Sequence, residues 1–384
     1  MLCGFFILLV VSFAVIRSEI SSKCSGKWIQ KNEATSSNHF FGLNKAFDDN
    51  SYHSKIDMAR KMCSVESFMF NCYFRGDTER AYNVSHRDWV VDKSVLETNE
   101  DCAYTLELLL QLIKNKRLIF IGDSVSMQIW SALVCTLEYY YGTAVDVEAM
   151  SLFLNAASPQ CFTEALCPFK EFNCQFHTFG TATFPKLNLT IMYAEVFEYN
   201  HSRNYNNLPK LHEKYKFNSD NDLIFFNNGL HFNNGKEGKS QYRVTMKSFA
   251  EDYNSFQNNH IINNGMFFFL ETVPQHFDTD TGSFGNARQM VTCVDIPLHS
   301  RNDWRNHIAA EILYEDTDIE IIEIAKELYS QWDAHIGGHS RAAPDCGADC
   351  THYCLSSGVF PYIFRMIYYT LLKTGKGELK IDTN

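Results

Sequence analysis

The sequence predicts an α/β protein: a mostly parallel sheet with helices on both faces, preceded by an irregular, disulfide-rich region. Three observations predict it. Short apolar runs of strand length (Leu118 to Ile121, Leu189 to Phe197, Leu223 to Phe226, Met266 to Leu270) alternate with helical stretches. Cysteines dot a polar segment before residue 115 that has few long periodic runs. Hydrophobic residues make up 45% and charged residues 21% of the 384, enough for one large core or one large and one small.

The elements follow in order. Leu2 to Ile16 is an apolar stretch ended by Arg17-Ser18-Glu19, with no Lys or Arg before it. It is short for a membrane span of about 20 residues and suits a signal-peptide core, with residues 1–18 removed, better than a retained anchor. Residues 24–115 form the cysteine-rich region. Within it, Leu106 to Ile113 reads as a helix. Residues 116–375 form the α/β domain. Its first strand, Arg117 to Ile121, runs into Gly122-Asp123-Ser124. A helix follows over Val125 to Leu137, with Ile129, Trp130, Leu133 and Leu137 at helical spacing. Asn200 to Asn221 is polar and reads as a loop, whereas His307 to Trp332 and Tyr362 to Leu372 read as helical. Residues 376–384 form a polar tail.

Composition narrows the chemistry. A formal net charge of −11 with no basic stripe argues against nucleic acid as a partner. Of 13 cysteines, Cys3 lies in the leader, and the even set that remains reads as disulfides of an exported chain. Sequons start at Asn83, Asn188 and Asn200, which fits a glycosylated lumenal or secreted protein. Aromatics reach 14%, and because the Phe runs fall inside strands they read as core rather than as sugar-stacking surface.

Ser124 is the candidate nucleophile, because a strand-to-helix turn exposes the side chain at the carboxyl edge of a sheet, where ligands of open α/β folds bind. The bland alternative is a helix cap. Asp349-Cys350-Thr351-His352 supplies the complement: a carboxylate three residues from an imidazole can fix its tautomer while it takes a serine proton. Cys350 and Cys354 flank this segment and can staple it. His335, His339, Cys346, Cys350, His352 and Cys354 also superficially resemble a zinc cluster, but the spacing matches no common zinc module. Asn227, which follows the strand Asp222 to Phe226, is a candidate oxyanion-hole amide. Gly229 completes Asn227-Asn228-Gly229, and His276 in Pro274-Gln275-His276-Phe277 is a candidate for touching the substrate or for supporting a residue that does, with a purely structural role as the bland alternative.

Together these blocks resemble the PC-esterase family, which includes the plant trichome birefringence-like polysaccharide O-acetyltransferases. The resemblance rests on Gly122-Asp123-Ser124 after a strand and on Asp349-Cys350-Thr351-His352-Tyr353-Cys354-Leu355 near the end. Asn227-Asn228-Gly229, Pro274-Gln275-His276-Phe277 and the leader Cys24-Ser25-Gly26-Lys27-Trp28 add to it, in the family's order. It implies an SGNH-hydrolase-like three-layer sandwich with Ser124 as nucleophile, His352 as general base and Asp349 as its orienting carboxylate. It implies an O-acetyltransferase or acetylesterase without metal or cofactor, whose partners are a carbohydrate substrate and an acyl donor. Departures are Ser356-Ser357-Gly358 where plant members continue Pro-Gly, Leu230-His231-Phe232 after Gly229, and Leu270-Glu271 before Thr272 in place of an Arg. These substrate-facing differences point to a divergent member with a different glycan. A non-catalytic glycan-binding relative is the alternative of another class.

Overall fold

The computed structural model describes residues 24–30, 83–84, 86–99, 102–142, 144–152, 176–196, 207–217, 221–259, 267–283, 292–297, 301, 303–337, 349–355 and 357–374. The leader, the sequon at Asn200, His339, Cys346 and the polar tail lie outside the described residues. Nine strands are described: β1 (Gly26–Gln30), β2 (Arg87–Val91), β3 (Arg117–Gly122), β4 (Val145–Leu152), β5 (Phe176–Phe184), β6 (Leu189–Glu195), β7 (Asp222–Phe226), β8 (Phe267–Leu270) and β9 (Glu320–Ile322). The helices are α1 (Lys93–Leu96), α2 (Leu106–Ile113), α3 (Ser124–Tyr141), α4 (Leu208–Tyr215), α5 (Lys236–Asn258), α6 (Trp304–Asp316), α7 (Ala325–Leu328) and α8 (Val359–Lys373).

Seven strands form one sheet in the order β4-β5-β6-β3-β7-β8-β9. The five from β6 to β9 are parallel, and β5 runs antiparallel to both of its neighbours. Alternation along β3 explains the layering. Leu118 and Phe120 join a core with α2, α3 and α8, while Ile119 and Ile121 join a second core with α4, α5 and α6. The result is the expected three-layer α/β sandwich. The chain leaves β6 on one side of β3 and re-enters at β7 on the other, so the carboxyl end of β3 lies at a topological switch point.

Three segments differ from the sequence reading. The polar stretch from Asn200 to Asn221 contains α4: Asn207 caps it by accepting from the Lys210 N–H, and Leu208, Leu211 and Tyr215 are buried at helical spacing. The helical reading of His307 to Trp332 is broken by β9. There the β-branched Ile321 and Ile322 favour a strand that closes the sheet edge against β8. The cysteine-rich region is also less irregular than expected. β1 and β2 pair antiparallel, and Trp28 and Trp89 pack on Tyr362 of α8. The Cys24–Cys102 disulfide closes this region on itself, and an Arg87–Asp333 ion pair fastens it to the α/β layers. Among the described residues no helix is long and apolar enough to cross a membrane.

Glu271, just beyond β8, accepts from the Ile324 and Ala325 N–H groups through one oxygen. Burial outweighs those bonds and pushes its carboxyl up to about 7. A raised carboxyl pKa means that the folded state binds the proton more tightly than the unfolded chain does. Its effect is therefore a loss of stability as pH climbs from the ordinary Glu range to about 7. Glu271→Gln keeps an oxygen acceptor and removes the titration. Thermal melts from pH 4.5 to 8 should show the variant losing less stability than wild type over that window, so the gap in its favour widens as pH rises.

Candidate active site

The site is built from the carboxyl end of β3. Gly122 ends the strand at φ +157°, and a Cβ there would lie 2.3 Å from the Asn227 carbonyl oxygen and 2.4 Å from Ser126 Oγ. Only glycine lets β3 and the β7 loop approach this closely. Asp123 then caps α3, accepting from the Val125 N–H at 3.0 Å. Burial raises the Asp123 pKa against the pull of His231 and His352. The capping alternative thus describes Asp123, and the next residue is left for chemistry. Ser124 is the first residue of α3, so its N–H has no acceptor within the helix, and the positive end of the helix dipole faces the same point.

The Asp349–His352 segment reaches this point from the far end of the chain. His352 Nε2 lies 2.6 Å from Ser124 Oγ, and His352 Nδ1 lies 2.9 Å from Asp349 Oδ2. The other carboxylate oxygen of Asp349 accepts from the Thr351 and His352 N–H groups, both at 3.1 Å. A carboxylate cannot donate, so Nδ1 carries the proton in the neutral ring and Nε2 is left as an acceptor for the Ser124 hydroxyl. His352 and Asp349 keep 15% and 19% of their side chains exposed, which leaves the site open to a reactant.

The segment is held from several sides. Gln128, one turn after Ser124 on α3, donates to the Tyr353 carbonyl at 2.8 Å and accepts from the Tyr353 N–H at 3.2 Å. The Ile336 N–H bonds the His352 carbonyl, the Gly337 N–H the Asp349 carbonyl, and the His276 N–H the Cys350 carbonyl. A Cys293–Cys350 disulfide staples the residue next to Asp349, and Cys354 is also oxidised. The zinc reading therefore fails at Cys350 and Cys354, because disulfide sulfurs are not thiolate ligands. Among the described residues no group of His, Cys, Asp or Glu is arranged to hold a metal ion.

Sequence reasoning did not single out Gln128. The available signal was an amide inside an apolar helix, since it is 0% exposed. Gln128→Ala would orphan both Tyr353 backbone groups, at a cost of roughly 1–3 kcal/mol each. The urea midpoint should fall with an unchanged slope, and kcat should fall with it because His352 is the preceding residue.

Two candidate residues face elsewhere. The Asn227 amide donates to the Leu270 and Glu271 carbonyls at 2.9 and 3.1 Å, so both of its N–H bonds are engaged away from an oxyanion. His276 is 0% exposed, with Nδ1 against His335 and Nε2 against the Tyr329 carbonyl, so it makes no direct substrate contact. Their places at strand ends suggest the substrate side for Asn227 and leave His276 open between touching the substrate and supporting a residue that does; the structure gives His276 the supporting place. Here the loop after β8 folds inward and recruits them as braces. Gly229 stays at the site edge at φ +142°, its carbonyl accepting from Arg305 Nε and the Phe232 N–H. Arg305 is buried, and a small polar depression lies beside it, lined by Thr272, Gln275, Ser283, Asp303, Arg305 and Asn306 among others. Gln275 joins this depression to the His352 segment by donating to Thr351 Oγ1 at 2.9 Å. At the end of β6, in register with Gly122, burial and Asp123 push the Glu195 carboxyl up to about 7.

A three-layer α/β sandwich with a hydroxyl, an imidazole and a carboxylate in line at its switch point has the arrangement that nucleophilic acyl transfer requires. The profile of the PC-esterase family, a GDSL/SGNH-like acyl-esterase family found in Pmr5 and Cas1p, matches residues 104–361. The chain belongs to that family.

Proposed function

We propose that this protein is an exported serine O-acyltransferase that acetylates carbohydrate hydroxyls through an acyl-serine intermediate. The observation that carries the reading is the contact series Ser124 Oγ–His352 Nε2–Asp349 in a member of an acyl-esterase family. Ser124 Oγ attacks the donor's acyl carbonyl while its proton passes to His352 Nε2. Asp349 stabilises the imidazolium without taking its proton. The tetrahedral oxyanion lies at the amino end of α3, where the Ser124 N–H is the first donor and the Gly229 N–H the second candidate. The imidazolium protonates the departing donor. An acceptor hydroxyl then gives its proton to His352 and attacks the acyl carbon, and the imidazolium returns a proton to the departing Ser124 Oγ, which restores both residues.

The polar depression around Gln275 is the candidate acceptor side, since Gln275 ties it to Thr351 beside His352. Export is supported by the disulfides at Cys24–Cys102 and Cys293–Cys350 and by the apolar leader. If water reaches the acyl-enzyme first, the same residues make an acetylesterase. Incubation of the secreted protein with a labelled acetyl ester and a panel of oligosaccharides separates the two. The proposal expects label on a glycan, with less free acetate as acceptor concentration rises. Free acetate alone, unchanged by any acceptor, would assign the esterase.

A further inference from the structure

Behind the His352 segment lies a row of four ring nitrogens whose proton count does not close with neutral rings. His276 Nε2 lies 3.0 Å from the Tyr329 carbonyl oxygen, and His276 Nδ1 lies 2.7 Å from His335 Nε2. His335 Nδ1 lies 3.1 Å from the His352 carbonyl oxygen. Both rings are 0% exposed. A carbonyl oxygen only accepts, so each outer nitrogen must carry hydrogen to make its bond. Two neutral rings hold two such hydrogens, and both are then at the outer nitrogens. The inner pair would be left lone pair against lone pair at a distance typical of a strong hydrogen bond.

We propose that His276 and His335 hold one extra proton between His276 Nδ1 and His335 Nε2, and that this cationic pair positions His352 through its backbone carbonyl. The proton comes from solvent, and no other bond changes. Burial works against the charge and drives each ring, taken singly, toward its neutral form: His276 down to about 4, and His335 well below the usual His range. The groups facing the pair divide. Asp295 and Asp333 on the His276 side and Asp349 on the His335 side favour the proton, while Arg301 and His352 oppose it. The Tyr353 ring stacks on His335 with centroids 4.1 Å apart, and an aromatic face attracts a cation. The shared bond adds a contact that exists only in the protonated pair. If the third proton leaves, one of the three contacts must break, and one of the three ends on His352.

The positioning role rests on His352 acting as the base, but the proton count does not, and the two can be tested apart. Nitrogen-15 NMR of the full secreted chain, labelled at histidine, reads the count directly. Wild type and Ser124→Ala should both show a strongly downfield exchangeable proton correlated with His276 Nδ1 and His335 Nε2. His276→Gln should lack it, because one amide N–H can reach the Tyr329 carbonyl and the other can reach His335 Nε2 with no third proton. His335→Gln provides the same substitution from the other side if the first variant folds poorly. Two neutral rings in wild type at the pH of activity would overturn the proposal. For positioning, ester hydrolysis by wild type should fall on the alkaline side as the third proton leaves, and His276→Gln should lose that limb. An identical alkaline limb in both would overturn the positioning role.

Discussion

Ser124→Ala is expected to reduce acetyl-ester hydrolysis and acetyl transfer by four to six orders of magnitude in kcat, with no loss of thermal stability. The size follows from role: loss of the nucleophile removes the acyl-enzyme route, and in serine hydrolases a single such loss costs about 10⁶-fold. The residual rate would come from the oxyanion donors and bound-substrate orientation alone. Stability should hold because the helix start does not depend on the hydroxyl. Asp123, not Ser124, caps α3, and the Ser124 hydroxyl has His352 Nε2 as its partner. Ester turnover and a melting curve on the same sample check both halves. Near-wild-type turnover in a folded Ser124→Ala would remove the nucleophile from the account.

Asp349→Asn is expected to be the second large effect, roughly 10⁴-fold in kcat with little change in KM. The carboxylate accepts from His352 Nδ1 and fixes the tautomer that presents an unprotonated Nε2 to Ser124. An amide can turn its NH₂ toward Nδ1 and make it the acceptor, which moves the proton to Nε2 and leaves no base for the hydroxyl. The same change can keep an oxygen acceptor for the Thr351 and His352 N–H groups, so the turn itself should survive. The prediction therefore separates tautomer control from loop support. A drop in stability as large as the drop in rate would point to loop support instead. Steady-state kinetics beside urea denaturation decides between them, and a double variant with Ser124→Ala should be no slower than Ser124→Ala alone.

Much of this was legible along the chain because the deciding signals are local. A buried strand followed by Gly122-Asp123-Ser124 specifies its own turn, and the spacing of Asp349 and His352 places both side chains on one bend. The strand runs Leu118 to Ile121 and Leu223 to Phe226 needed only their apolar character to be found. What escaped was set by partners distant in sequence. The direction in which Asn227 and His276 face depends on the loop after β8 and on Tyr329 and His335, which periodicity does not reach. Gln128 is an ordinary helix residue until Tyr353 arrives from 225 residues away. β9 hid inside a helical reading because three residues are too few to show a period, and its identity comes from pairing with β8.

The most direct test of the central claim, that His352 activates Ser124 as an acyl-accepting nucleophile, is mass spectrometry of the protein treated with a serine-directed fluorophosphonate. The predicted result is one adduct per chain on the peptide containing Ser124, absent from Ser124→Ala and slowed by several orders of magnitude in His352→Ala. Adduct on another residue, or an unlabelled Ser124 in a protein that still turns over acetyl esters, would contradict it.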